Sequence, residues 1–240
     1  MARRSSVPQA QPHAESQAAS QTDPPVGPKT KRKSGNRLPV VGAEADVEPG
    51  DLGVSTAPQA AAGCGSLSDL EALIPTCGAC PRLRRYCGAV AESRIKRYAD
   101  WTYHGRPVAG FGDPAARVLV VGLAPAAHGA NRTGRLFTGD RSGDFLFAAL
   151  HRLGLASQPQ SDRRDDGLTL SGVYISVAGR CAPPTNRPTP VELDRCRAFL
   201  QRELNLLSQL RAIVAPGGLA HEAVLQGLGA PRARFAHSAA

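Results

Sequence analysis

Aromatic residues are scarce in this sequence, at 5% of 240 positions, and there is a single Trp and a single Met. No stretch approaches the roughly 18 consecutive apolar residues that a membrane helix needs, so a membrane-spanning protein is not expected. A secretion signal is missing too. Arg3 and Arg4 begin like a charged leader, but Pro8 to Gln21 supplies no apolar core behind them. Acidic residues are few, with 20 Asp and Glu against 29 Lys and Arg, which leaves a net charge of +9. That balance favours anionic partners, nucleic acid being the commonest, although charge alone does not choose among them. A cytoplasmic location is the expectation.

Residues 1–62 hold most of the Gln and much of the Pro and Ser, with almost no aromatic or periodic apolar pattern. Such a segment cannot bury enough apolar surface to offset its chain entropy, which predicts a disordered basic tail. Its basic run Lys29-Thr-Lys-Arg-Lys33 reads as solvated tail or as a weak nucleic-acid tether. A single folded domain is expected over 63–240.

Within that domain the pattern is α/β. Ser68-Asp-Leu-Glu71 has the form of a capping box opening a short helix, and a second helix is expected over Leu83–Ala99. Trp101 to Pro114 reads as a loop. Apolar runs at Arg117–Val121, Gly172–Ala178 and Arg211–Ala215 read as strands, with helices between them near 143–154 and 190–208. That alternation predicts a parallel sheet covered by helices. Thr189 at the N-cap, Pro190 at N1 and Glu192 at N3 mark the 190–208 helix. Leu193, Leu200, Leu204 and Leu207 give it an apolar face. A last helix is expected near 218–227.

Chemistry concentrates in Gly122–Gly143, which runs Gly-Leu-Ala-Pro-Ala-Ala-His-Gly-Ala-Asn-Arg-Thr-Gly-Arg-Leu-Phe-Thr-Gly-Asp-Arg-Ser-Gly. A glycine-rich polar loop leaving the end of a strand is where open α/β sheets take ligands. Phe137 offers a stacking face for a planar base or an anchor for the loop. Asp140 offers a carboxylate, or a cap for the helix that follows. Asn131, Arg132 and Arg135 are expected to position the loop and contact phosphates, and His128 either joins them or is structural. Asn186 reads as a hydrogen-bonding group for a base edge or phosphate, or as a turn residue between Pro184 and Pro188.

Six cysteines occur, at 64, 77, 80, 87, 181 and 196. Cys77-x2-Cys80 with Cys181-x14-Cys196 makes two thiolate pairs suited to tetrahedral zinc or to an iron–sulfur cluster, and spacing does not separate the two. Cys64 is expected to be free. Cys87 could compete as a ligand and is expected to be a packed helix residue.

Cys77-x-x-Cys80-Pro-Arg-Leu83, Arg106-Pro-Val-x-Gly-Phe-Gly-Asp-Pro114, the whole 122–143 loop and Arg180-Cys-Ala-Pro-Pro-x-Asn186-x-Pro-Thr-Pro190 resemble the type-5 uracil-DNA glycosylases of bacteria and archaea, over about residues 67–237. The resemblance implies a three-layer α/β/α fold around a four-stranded parallel sheet. It also implies hydrolysis of the N-glycosidic bond of uracil and other deaminated bases in DNA, by a monomer. It makes the metal centre a [4Fe–4S] cluster on Cys77, Cys80, Cys181 and Cys196. Asp140 becomes the water-activating residue, Asn186 a partner in the chemistry, and Ala124 the position where other uracil glycosylases carry a polar residue. The family continues past the equivalent of Arg234-Phe-Ala-His237 with a further strand and a loop bearing His-Pro/Val-Ser-x-x-Asn. Neither is found in these 240 residues. The implied reading is therefore a chain shortened at its C-terminus, with weak activity or with DNA binding alone. A zinc-stabilised α/β hydrolase unrelated to DNA is the remaining alternative.

Overall fold

The computed structural model describes residues 57–236, so the Lys29–Lys33 run, His237 and most of the expected tail lie outside the described residues. From Ala57 the chain forms α1 (Ala57–Ala60), a 3-10 turn (Ala61–Gly63), α2 (Leu67–Leu73), a second 3-10 turn (Ile74–Thr76), α3 (Pro81–Ser93) and a third 3-10 turn (Lys96–Tyr98). It then forms β1 (Phe111–Gly112), β2 (Val118–Gly122), α4 (Ala130–Thr133), α5 (Arg141–Arg152) and β3 (Val173–Val177). A 3-10 turn (Pro184–Asn186), α6 (Pro190–Leu206), β4 (Ala212–Val214) and α7 (Gly218–Gly227) complete the path.

The sheet order is β1-β3-β2-β4, with β2 parallel to both β3 and β4. The three predicted strands are those three. The all-parallel expectation needs correction, because β1 pairs antiparallel with β3, Phe111 opposite Ile175 and Gly112 opposite Tyr174. A two-residue strand has no apolar period to read. Its position depends on glycine and on Asp113. Gly112 has φ 141°, and a Cβ there would overlap the Val173 carbonyl. The Asp113 carboxylate accepts from Gly172 N–H at 2.7 Å and Ala115 N–H at 2.8 Å, closing the corner. Those two amides hold its pKa below the ordinary value.

Alternate side chains of the strands face opposite layers, as a pleat requires. Leu119, Val121 and Tyr174 join α1, α2, α6 and α7 through Ala57, Ala61, Leu70, Phe199, Leu200 and Val224. Val120, Val173, Ile175 and Val177 face the other way, onto Leu136, Phe147 and Leu150 of the loop and α5. The result is the expected three-layer α/β/α arrangement. Ala57 and Ala61 place the start of the packed domain inside the stretch whose composition predicts no core. Alanine fits against a helix without leaving an apolar pattern. The first capping box forms at Ser66, not Ser68. Ser66 Oγ accepts from Asp69 N–H at 3.1 Å, and Asp69 Oδ2 accepts from both Ser66 N–H and Gly65 N–H at 2.8 Å.

On α6 the predicted cap forms as read, with Thr189 and Glu192 bonding reciprocally. The buried side of that helix carries Cys196, Phe199, Leu200 and Glu203, while Leu193 and Leu204 are half-buried. Glu203 is fully buried and accepts from Arg180 at 2.6 Å and from the Ser176 hydroxyl at 2.5 Å. Tyr174 and Glu203 fill the space a Cβ at residue 110 would need, 2.6 and 2.7 Å away, which is why Gly110 stands there.

Candidate active site and cysteine cluster

The two chemistry-bearing loops leave the carboxyl ends of adjacent parallel strands. The 122–143 loop follows β2 and the 178–189 loop follows β3, and the two are stitched together by Ala178 N–H to Gly122 O and Gly179 N–H to Leu123 O, both 2.9 Å. Ala124 lies at this seam, half-buried, 3.8 Å from where a Cβ on Gly179 would stand.

Phe137 is half-buried with φ 53°, a backbone state unusual outside glycine. Its ring crosses the end of β2, where a Cβ on Gly122 would lie 2.7 Å from ring carbon Cζ. Its carbonyl abuts Gly143 in the first turn of α5 so closely that any side chain there would overlap it. Glycine at 122 and 143 therefore fixes the ring and the backbone of Phe137 from two sides. The ring also packs on the layer containing Leu136 and Phe147, so it anchors the loop.

Asp140 is the N-cap of α5. Its Oδ1 accepts from Ser142 N–H and Gly143 N–H, both at 3.0 Å. Oδ2 points toward Gly129, 2.5 Å from where a Cβ would be, and accepts no hydrogen bond from the described residues. One oxygen is thus fixed by the helix terminus and the other is left for a water or a substrate.

His128 Nδ1 meets the Tyr103 hydroxyl at 3.1 Å, while Nε2 is buried and has no partner among the described residues. Burial, with the Arg132 charge second, pulls its pKa down and favours the neutral ring. Asn131 is fully buried. Its amide donates weakly to Cys87 O and Ala127 O at 3.4 Å, and its Oδ1 is unpartnered among the described residues.

The two arginines turn inward. Arg132, 3% exposed, donates to His128 O at 2.8 Å and Gly139 O at 3.3 Å, with its guanidinium against the rings of Tyr98 and Trp101. Arg135, 6% exposed, pairs with Asp166 at 2.6 Å and donates to Ser161, Thr138 and Arg164 O. The expectation that they position the loop fits this geometry. The expectation that they contact phosphates does not, because both guanidiniums are buried, Arg132 Nη1 having no partner among the described residues.

Asn186 stands apart on the β3 exit loop, exposed, with φ 57° directly after Thr185 at φ 54°. Two successive non-glycine residues in the left-handed region store strain, the β-branched Thr185 most of all. The loop is held from α3, where Arg82 grips Glu192 through two bonds of 2.8 and 2.7 Å. A groove of about 360 Å³ between α6 and α7, lined by Ala178, Val191, Leu193, Leu219 and Ala223 among others, opens behind this loop and does not include Phe137 or Asp140.

Cys77 ends a 3-10 turn, Cys80 is the N-cap of α3, Cys181 follows β3 and Cys196 sits in α6. All four are buried. Burial, together with nearby Cys80 and Cys77, pushes the Cys196 thiol up to about 11. Cys87, fully buried in α3, donates to Ala182 O at 3.5 Å and lies against Cys181. That contact first, and burial second, pushes the Cys181 thiol well up. Cys64 forms no disulfide, and its thiol reaches Ala60 O at 3.9 Å. Among the described residues no group of three His, Cys, Asp or Glu is drawn to metal-binding distance. The donor set nevertheless fits a thiolate-ligated centre, since the four buried thiols, from three stretches of chain, lie near enough to act on one another's charge.

Sequence reasoning did not find the Arg180–Glu203–Ser176 network or the Tyr98 and Trp101 faces around Arg132. A signal for the first existed: Glu203 continues the buried Cys196, Phe199, Leu200 stripe of α6 at helical spacing. The second is a contact between distant segments and leaves no local pattern.

Comparison with known proteins matches this architecture. The uracil DNA glycosylase superfamily covers residues 109–238. A type-5 uracil-DNA glycosylase of Mycobacterium tuberculosis is 51% identical over 181 residues, 74% of this chain and 68% of its own length. One from Thermus thermophilus is 51% identical over 164 residues, 67% of this chain and 74% of its own. A type-4 uracil-DNA glycosylase of Thermotoga maritima reaches 34% over 135 residues, 55% and 62% of the two chains. The chain belongs to the type-5 uracil-DNA glycosylase family.

Proposed function

We propose that this chain is a DNA-repair hydrolase that cleaves the N-glycosidic bond of uracil and other deaminated bases in DNA, acting as a cytoplasmic monomer. The observation that carries the reading is that the loop leaving β2 sets the Phe137 ring across Gly122 and leaves Asp140 Oδ2 beside Gly129 without a donor among the described residues. A base buried in duplex must first leave the stack, and Phe137 gives the flipped base a plane. Cleavage builds positive charge on the sugar and negative charge on the departing base. In this reading Asp140 Oδ2 stabilises the first and orients the attacking water. Asn186, exposed on the neighbouring loop, supplies an amide for the base edge or an adjacent phosphate. Ala124 leaves the first loop without a polar side chain near the seam. Cys77, Cys80, Cys181 and Cys196 would hold a [4Fe–4S] cluster, which supplies a rigid cross-link between α3, α6 and the β3 exit loop.

A second reading, duplex binding with little turnover, is favoured by the β4 edge. Val214 is 49% exposed and β4 has one strand neighbour among the described residues, leaving core surface uncovered. Incubating the cluster-loaded chain with uracil-containing duplex separates the two. Free uracil and an abasic strand support the first reading, and binding without base release supports the second.

A further inference from the structure

With Arg132 and Arg135 committed to the interior, the question is which cations remain for DNA. Around Arg132 the structure gathers two rings and two further cations; Tyr98 and Trp101 meet edge to face, their centroids 6.0 Å apart at 74°. Arg132 Cζ lies 3.9 Å from the Tyr98 ring centroid and 4.0 Å from that of Trp101. Arg97 stands 5.2 Å from Tyr98, and Arg163 stands 4.6 Å from Trp101. The inner member is buried and the two outer ones are exposed. This cluster is rooted in the active-site loop through Arg132 to His128 O and Gly139 O, the latter one residue before Asp140. Gly139, at φ 75°, is required there, since a Cβ would overlap the Arg132 guanidinium.

We propose that Arg97 and Arg163 form a backbone-binding surface that grips DNA phosphates beside the flipped nucleotide. This rests on the DNA reading given above. A guanidinium stacked on a ring keeps its N–H edge free, and that edge matches phosphate oxygens in a planar fork. Neither Arg97 nor Arg163 takes part in any of the ion pairs among the described residues. With Arg94, Lys96 and Arg164 they make five exposed cations against the exposed Asp100, Asp162 and Asp165. Because the Tyr98 and Trp101 rings are engaged by guanidiniums, they have little face to offer bases. The surface therefore reads the backbone and not the sequence, as an enzyme that inspects any stretch of DNA requires.

The test is the salt dependence of binding to a uracil-free duplex, read by fluorescence anisotropy on the full cluster-loaded chain. Arg97→Ala/Arg163→Ala should flatten the log–log slope by about 0.9 for each lost phosphate contact, about 1.8 for the pair. Arg97→Lys/Arg163→Lys should keep most of the slope. Both variants should melt with the unsubstituted protein. A double alanine variant with an unchanged slope overturns the proposal, and so does a slope loss that lysine does not restore. Since the readout needs no turnover, a protein that binds with this slope yet releases no uracil would fail the glycosylase reading while keeping the surface.

Discussion

Replacing Arg180 by Met should destabilise the protein by roughly 3–5 kcal/mol, the usual cost of removing one partner of a buried ion pair. The pair fits that case: the side chains of Arg180 and Glu203 are 1% and 0% exposed, and their charged atoms are 2.6 Å apart. Burial alone would pull the Arg180 pKa down, and Glu203 holds it up. After the substitution Glu203 keeps only the Ser176 hydroxyl for its charge. A domain's net stability is about 5–15 kcal/mol, so the single variant stands near the threshold of folding. Arg180→Met/Glu203→Leu removes both charges and should recover most of the loss, because an apolar pair of similar volume is often neutral in such a site. Urea unfolding of the four proteins in the cycle gives the coupling directly. A single variant within about 1 kcal/mol of the parent would refute the reasoning, as would a double variant whose cost equals the sum of the singles.

On the proposed [4Fe–4S] assignment, anaerobically prepared protein should absorb in the visible, Cys181→Ala should abolish that absorption and Cys87→Ser should retain it; loss of colour in the Cys87 variant would make Cys87 a ligand. Gly143→Ala should displace Phe137, because the new methyl overlaps the Phe137 carbonyl, and base release should fall at least tenfold while the visible absorption persists. Burial pushes the Asp166 carboxyl up, but Arg135 and the Leu168 and Arg163 amides outweigh it and hold its pKa below the ordinary value. Its stabilisation is therefore complete above the unfolded pKa of about 4 and is lost as pH falls through the folded value. Asp166→Asn should lower the unfolding midpoint at neutral pH, with the gap narrowing in acid.

The sheet was legible wherever its strands were apolar runs separated by helical spacing, as at Val118–Gly122 and Val173–Val177. The α6 cap was legible because Thr189, Pro190 and Glu192 act on their own local backbone. β1 was not, since two residues have no period and their pairing depends on Gly112 and Asp113. At the candidate site, residue types singled out the 122–143 loop, but side-chain direction could not be read. Nothing in a sequence says that Arg132 turns toward Tyr98 and Trp101 while Arg97 and Arg163 stay outside. Phe137 anchors the loop and Asp140 caps α5, which are the structural halves of their two readings; the base-stacking and water-orienting halves belong to the proposed function.

Asp140→Asn tests the central claim most directly. Asn caps a helix about as well as Asp, so the fold should be kept within a few tenths of a kcal/mol. What the substitution removes is the negative charge on the oxygen that faces Gly129. Single-turnover release of uracil from duplex DNA should fall by about 100- to 10,000-fold, the span expected for a positioned carboxylate, while duplex affinity and the unfolding midpoint stay near those of the parent. An Asp140→Asn variant that folds, binds and releases uracil at the parental rate would contradict the account.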